Sequence, residues 1–228
     1  MSRIVKKDHV APDIVKLCVD TKTHMAYKAG QAFFLKCADY EARPYSVANA
    51  PDKNSTILEF HIKKSGGLST YLVEKSQEGD EVNISGPTGD ITFNSRCKKP
   101  ILAIAGGTGL AQIKSICEAA LSTDRKTHVH LYHGARSEED LYMDGYFSEA
   151  DLNDPHFLYY GVLSDSNNIE PHHRTGLVGD VAANDFEDLS GFRAYICGPA
   201  PMVVHTQSLL LEKGIDPKRI HAENWSKD

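Results

Sequence analysis

Ile101-Leu102-Ala103-Ile104-Ala105, running into Gly106-Gly107-Thr108-Gly109, is the stretch on which the fold turns. An all-apolar run of this length predicts a strand covered on both faces. Beyond the glycines, Ile113, Ile116 and Ala120 recur at helical spacing and predict a helix. The glycines between them let the backbone turn sharply and let an anion come close. The helix start behind them offers free amides and a partial positive charge. This meets the physical specification of a diphosphate site. It is not G-x-G-x-x-G, and a glycine-rich strand–helix turn also arises for packing alone, so both readings stand here.

Towards the C-terminus the alternation continues. Residues 128–132, 157–163 and 193–197 read as strands and are separated by helical stretches, including 202–213, with Lys213-Gly214 as a stop. Strand–helix alternation of this kind implies a parallel sheet with helices on both faces. Cys197-Gly198-Pro199 ends a second strand just before a helix. Ligands of open α/β sheets bind at such carboxyl ends. No acid–base partner for Cys197 is apparent in the sequence, which favours a small buried residue beside a ligand over a reactive thiol.

Towards the N-terminus, the basic stretch 96–100 reads as a connector, and the pattern before it changes. Val15, Leu17 and Val19 alternate with polar residues; Leu58, Phe60 and Ile62 do so opposite Glu59, His61 and Lys63; Val82 and Ile84 repeat it. Turn signals fall at Ala29-Gly30, Ala50-Pro51-Asp52, Ser65-Gly66-Gly67, Gly79-Asp80 and Gly86-Pro87. Short strands at this spacing predict a small antiparallel barrel. One helix is expected over residues 69–75, opened by Gly66-Gly67-Leu68-Ser69. Glycines followed by a hydroxyl at a helix start make another anion-binding arrangement, or an ordinary N-cap at Ser69. Arg43-Pro44-Tyr45-Ser46 combines a permanent cation with a phenol on an extended segment, suited to a phosphate and a flat ring, or to a plain surface strand.

Composition removes several classes of function. A formal charge of -6 argues against nonspecific nucleic-acid binding. No apolar run reaches the length of a membrane span and no signal-like core follows the start, so a cytoplasmic protein is expected. The five cysteines form neither a C-x-x-C pair nor an iron–sulfur spacing. Any electron transfer needs another carrier.

Taken in order, R-P-Y-S, G-G-L-S, G-P-T-G, A-G-G-T-G and C-G-P resemble the ferredoxin–NADP reductase superfamily over essentially the whole chain. The stretches 173–178, 191–201 and 130–142 are most similar to the FAD- and NADH-binding portion of reductases serving bacterial aromatic-ring dioxygenases, without their iron–sulfur domain. The resemblance implies a six-stranded antiparallel FAD-binding barrel over residues 1–97 and a parallel α/β NAD(P)-binding domain over 98–228. It implies that Arg43 holds the FAD diphosphate with Gly66, Gly67, Leu68 and Ser69, and that Tyr45 lies against the flavin. Pro44 sets the strand, and His61, Ile62 and Lys63 pass the ring and its ribityl chain. Gly107, Thr108 and Gly109 would meet the nicotinamide dinucleotide, with Cys197, Gly198, Pro199 and Met202 near the nicotinamide. Ser46 and Glu223 would hydrogen-bond around flavin N5, and Trp225, in the ending Glu223-Asn224-Trp225, would cover the other flavin face.

Where NADP-preferring branches carry an arginine after a serine, this chain reads Leu163-Ser164-Asp165, so NADH is expected over NADPH. The electrons would pass to a separate small redox protein such as a ferredoxin. The alternatives are a reductase of free flavin and a module without catalysis. His128 and His130 share a strand face, His133 has opposite parity, and His172-His173 falls in a loop; structural or solvated histidines are expected, and no metal.

Overall fold

Leu17 faces Phe60 and Val19 faces Leu58 across the pair β2 (Ile14–Asp20) and β5 (Ile57–Lys63), with all four side chains buried. This inward alternation builds the first half of the chain. The structure, a computed structural model, describes residues 1–123, 127–165 and 172–225, with Trp225 described by its backbone alone. β1 (Ser2–Ala11), β3 (Ala32–Lys36), β4 (Arg43–Ser46) and β6 (Glu81–Thr88) join β2 and β5 in a six-stranded antiparallel sheet, ordered β4-β3-β6-β1-β2-β5. Its edges meet where Val47 bridges Phe60 and the Ala48 amide donates to the Glu59 carbonyl at 2.7 Å, which closes a barrel. Closure removes the exposed edges that an open sheet would leave. Helix α1 (Gly67–Glu74) buries Leu68, Leu72 and Val73 in the barrel's core.

The second half is a parallel sheet of β7 (Ile101–Gly106), β8 (Val129–Ala135), β9 (Phe157–Leu163), β10 (Arg174–Thr175), β11 (Arg193–Pro199) and β12 (Ile220–Trp225), ordered β10-β9-β8-β7-β11-β12. Every residue of β7 is buried, as the apolar run predicts. Ile101, Ala103 and Ala105 pack under α2 (Leu110–Thr123) and α3 (Asp144–Asn153). Leu102 and Ile104 face α4 (Val178–Asn184) and α5 (Ala200–Glu212) on the opposite side. Ile14 and Ala29 of the barrel join the first of these clusters, so the two halves share apolar core. The chain steps outward from β7 to β8, β9 and β10, then returns to place β11 on the other side of β7. That reversal opens a crevice at the carboxyl ends of β7 and β11. Among the described residues no helix is long and apolar enough to cross a membrane.

Some local expectations are corrected. Gly86-Pro87 is not a turn; it lies inside β6, where a Cβ on Gly86 would meet Phe33 Cδ1 at 2.9 Å. The helix expected at Ser69 opens two residues earlier. Ser69 therefore sits inside the first turn, where its hydroxyl accepts from the Ser65 amide at 2.9 Å and donates to the Gly66 carbonyl at 2.8 Å. His61, placed by alternation on the polar face, is only 4% exposed because the parallel half covers that side of β5. The acidic-x-aromatic ending continues the sheet, since β12 pairs in parallel with β11 as far as Pro199↔Trp225.

Candidate active site between the two halves

A cavity of about 320 Å³ opens where the barrel faces the crevice of the parallel sheet. Pro44, Tyr45, Ser46 and His61 line it from the barrel, and Thr108, Gly109, Cys197 and Glu223 from the sheet, with Ala32, Ala111 and Asn224 completing the wall. Eight of the residues singled out in the sequence therefore converge on one space.

β4 holds its residues there as an edge strand, with Phe33 opposite Tyr45 and Ala32 opposite Ser46. Pro44 is tolerated because an edge strand does not need its missing N–H. Burial pushes the Tyr45 phenol up to about 12, with the Arg43 charge opposing, so Tyr45 offers a neutral hydroxyl and a ring face. Opposite, residues Gly107–Gly109 form a 3-10 turn leading into α2, with no acidic side chain in its first turn. Gly107 has φ +53°, and a Cβ there would meet nothing within 4 Å, so the backbone lies open to a ligand.

Cys197 pairs in register with Glu223 on β12. Burial, reinforced by Glu223, raises the thiol far above its usual range, and it remains an uncharged small group. Gln112 on α2 donates to Glu223 Oε2 at 2.5 Å and to the Gly30 carbonyl at 2.9 Å, which ties the tail strand to the barrel.

His61 sits at the centre of a buried polar chain. Its Nδ1 lies 3.1 Å from the Tyr142 hydroxyl and its Nε2 lies 2.9 Å from Glu59 Oε1. Burial lowers the His61 pKa despite Glu59, and burial keeps the Tyr142 hydroxyl protonated. The consistent arrangement is a neutral imidazole that accepts from Tyr142 and donates Nε2–H to Glu59. Burial by itself would raise Glu59, but the His61 hydrogen bond and the Lys114 charge bring its carboxyl down to about 2. Behind Tyr142, His133 is fully buried, and burial pushes it down to about 3.

The remaining sequence-derived positions do not line the cavity. Arg43 is exposed at the start of β4, and Lys63 is exposed at the end of β5. Ile62 belongs to the barrel core, which leaves only its backbone for any ligand. Gly66 and Gly67 have φ of +112° and +52°, and a Cβ on either would meet nothing within 4 Å. They form an open cradle at the start of α1, whose first turn carries no acid. Leu68 and Ser69 are buried beneath it.

Gly198 has a packing reason of its own: a Cβ there would meet Met202 Cε at 2.5 Å and the Gly106 amide nitrogen at 3.2 Å. Pro199 precedes α5 as its N-cap. Asp165 follows β9, with its amide bonded to the Arg136 carbonyl at 3.0 Å. The Trp225 side chain lies outside the described residues. Glu59, Gln112, Lys114 and Tyr142 join the site without a signal in the sequence, since their roles come from long-range contact and leave no local pattern.

These features fit a flavin dinucleotide and a nicotinamide dinucleotide: two glycine-opened helix starts free of acids, an aromatic wall, and a crevice at the strand-order reversal. The comparisons agree. Residues 2–93 match the oxidoreductase FAD-binding domain family, and residues 103–208 match the oxidoreductase NAD-binding domain family. The chain is 34% identical to the ferredoxin–NAD(P)(+) reductase component of a naphthalene 1,2-dioxygenase system of Pseudomonas putida, over 97% of this chain and 69% of that protein. It is 32% identical to a probable flavin reductase of Aliivibrio fischeri, over 88% of this chain and 86% of that protein. A crystal structure of an Amycolatopsis cytochrome P450 reductase superposes with a TM-score of 0.92 at 30% identity, covering 100% of this chain and 70% of that one. With both halves matched in order and the site built from both, the chain belongs to the ferredoxin reductase family of FAD- and NAD-binding oxidoreductases.

Proposed function

We propose that the protein takes hydride from NADH onto bound FAD and delivers electrons to a separate acceptor, a small redox protein such as the ferredoxin of an oxygenase system. The observation that carries this reading is the open Gly66-Gly67 cradle at the start of α1, on the same barrel as the Tyr45–Ser46 wall of the cavity. A protein that keeps its flavin needs such a hold on the diphosphate. The relatives from dioxygenase systems support the choice of acceptor.

In this reading residues 1–97 hold FAD and residues 98–228 hold the nicotinamide dinucleotide. Arg43 and the amides of Gly67, Leu68 and Ser69 would hold the FAD diphosphate, and Tyr45 would support the flavin ring. His61, Ile62 and Lys63 would run along the flavin and ribityl chain, and Trp225 would cover the far face. Gly107, Thr108 and Gly109 would receive the nicotinamide dinucleotide, with Cys197, Gly198, Pro199 and Met202 bordering the nicotinamide. FAD, when bound, supplies the chemistry by accepting two electrons as hydride and passing them on singly. Ser46 and Glu223 would hydrogen-bond near flavin N5, and the neutral His61 would keep an uncharged wall beside it. The protein's part is alignment and exclusion of water. Asp165 would set its carboxylate against the 2′-phosphate of NADPH, and so favour NADH.

The second reading is reduction of free flavin as a substrate, which the similarity to the Aliivibrio fischeri protein supports. Purification followed by an absorbance spectrum separates the two. One tightly held FAD per chain, with NADH oxidation that depends on an added one-electron acceptor, supports the proposal. A colourless protein that turns over added FMN or riboflavin replaces it with the second reading.

A further inference from the structure

We propose a divalent metal site of the zinc class, formed by Asp144, His172 and His173 on the side of β9 that packs against α3. Asp144 is the first residue of α3, and the histidines immediately precede β10. His173 Nε2 lies 3.2 Å from Asp144 Oδ1, and His172 Nε2 lies 3.7 Å from Asp144 Oδ2. One donor atom from each residue falls within 4.8 Å of the others. Tetrahedral zinc, bound at about 2.05 Å, sets its ligands about 3.3 Å apart. His173 Nε2 already sits at that spacing from Asp144 Oδ1, while His172 Nε2 approaches the other carboxylate oxygen, Oδ2. His172 is 59% exposed, and its ring centroid lies 4.0 Å from that of His173, so a rotation about its side-chain bonds would close the third.

The surroundings are those of a ligand set. The His173 side chain is only 6% exposed, yet neither ring nitrogen makes a hydrogen bond. Burying an unsatisfied imidazole is costly unless something else engages it. Its second nitrogen, Nδ1, faces Glu138 Oε1 at 3.7 Å, and a small shift would let that carboxylate accept its proton and orient a metal-bound histidine. The Tyr159 hydroxyl donates to Asp144 Oδ1 at 2.9 Å and holds that carboxylate in place. Gly161 makes the room: a Cβ there would meet His173 Cδ2 at 2.8 Å and Asp144 Oδ1 at 3.2 Å. A cavity of about 630 Å³ opens in front of the cluster.

Two imidazoles and one carboxylate suit zinc or a similar transition ion better than magnesium or calcium, which prefer all-oxygen shells. Three protein ligands leave the fourth position to water. The ion would clip the chain entering β10 to the start of α3, at a set of residues that does not line the cavity between the halves. The proposal departs from the expectation of structural or solvated histidines and no metal, because the carboxylate that completes the set arrives from another element.

Zinc titration of the full FAD-loaded chain, against a chromophoric chelator, tests the site. Cobalt substitution, read by absorption beyond the flavin bands, is the second measurement. One zinc per chain is expected, with affinity at least tenfold weaker in both Asp144→Asn and His173→Ala, and roughly tenfold weaker in Glu138→Gln. Flavin content and ferricyanide reduction report folding independently of metal. If His173→Ala does not fold, the exposed His172→Ala carries the test. Absence of stoichiometric zinc in the wild type overturns the proposal. So does binding that survives these changes but is lost in His128→Ala, whose Nε2 lies 3.4 Å from His156 Nδ1 elsewhere on the surface.

Discussion

Lys114 Nζ lies 3.1 Å from Glu59 Oε1, a buried ion pair that joins α2 of the parallel half to β5 of the barrel. The same ammonium is 2.7 Å from Glu118 Oε1, and the other oxygen of Glu118 accepts from the Ala50 amide at 3.0 Å. Burial would lower the Lys114 pKa, but Glu118 and Glu59 together hold it above the usual value. The pair thus connects the halves and orients the His61 wall of the cavity.

Replacing Lys114 with methionine leaves Glu59 and Glu118 without their cation. Removing one partner of a buried pair typically costs about 3–5 kcal/mol. Urea unfolding of Lys114→Met should show a loss of that order, with part of it recovered in Lys114→Met/Glu59→Gln. A loss below about 1 kcal/mol would show that the pair is too well hydrated to matter.

Acid should weaken the fold through the same cluster. Glu59 titrates near 2 in the folded chain against a usual 4.5, so its stabilisation is complete above 4.5 and is lost as pH falls towards 2. His61 is lowered from its usual 6.5, so the unfolded chain also takes up protons first there, and stability declines as pH drops below 6.5. Thermal unfolding followed by circular dichroism should give a Tm that falls steadily on acidification from pH 7. His61→Asn should flatten the slope just below pH 6.5, and an unchanged slope would remove His61 from this account.

Arg43→Ala should release FAD while sparing the fold. A hydrogen bond to a charged group is worth about 1.5–3 kcal/mol, which corresponds to roughly a 10- to 100-fold weaker Kd. Flavin fluorescence after dilution measures it. Retention at wild-type affinity would sink the assignment of Arg43 to the diphosphate.

Asp165→Ser should narrow the preference for NADH proposed above. Removing one exposed carboxylate beside a dianionic phosphate is worth about 1–1.5 kcal/mol, or roughly tenfold in relative kcat/KM. Steady-state rates with the two nucleotides decide it. If wild-type protein already favours NADPH, the role given to Asp165 is wrong.

Gly30→Ala should destabilise strongly for a local reason. Gly30 has φ +102°, and a Cβ there would lie 2.3 Å from the Ile91 carbonyl oxygen and 3.2 Å from Ile116 Cδ1. Backbone strain and overpacking together cost about 2–4 kcal/mol. Because Gln112 donates to the Gly30 carbonyl, the contact to Glu223 should loosen as well, which would appear as weaker nucleotide binding.

Much of the fold was legible because it is written locally. Alternation at Val15, Leu17 and Val19 and at Leu58, Phe60 and Ile62 marked β2 and β5, since residues two apart on a strand share a face. The unbroken run of residues 101–105 marked a strand covered on both sides, and β7 extends it by one residue to Gly106. Much of the site was legible for the same reason, because glycines at strand–helix turns and an aromatic on an edge strand have short-range signatures. The tail strand β12 was not, since its place is set by pairing with β11 rather than by a pattern of its own.

The sequence by itself determined an antiparallel fold followed by a parallel one, and the glycine turns at their helix starts, because periodicity and glycine punctuation depend on near neighbours. Only the tertiary structure decided what the halves do to each other. It buried His61 between Glu59 and Tyr142, and set Lys114 against two carboxylates. It also carried Asp144 to His172 and His173. Burial and charge pairing between distant residues are properties of packing, and no spacing along the chain encodes them.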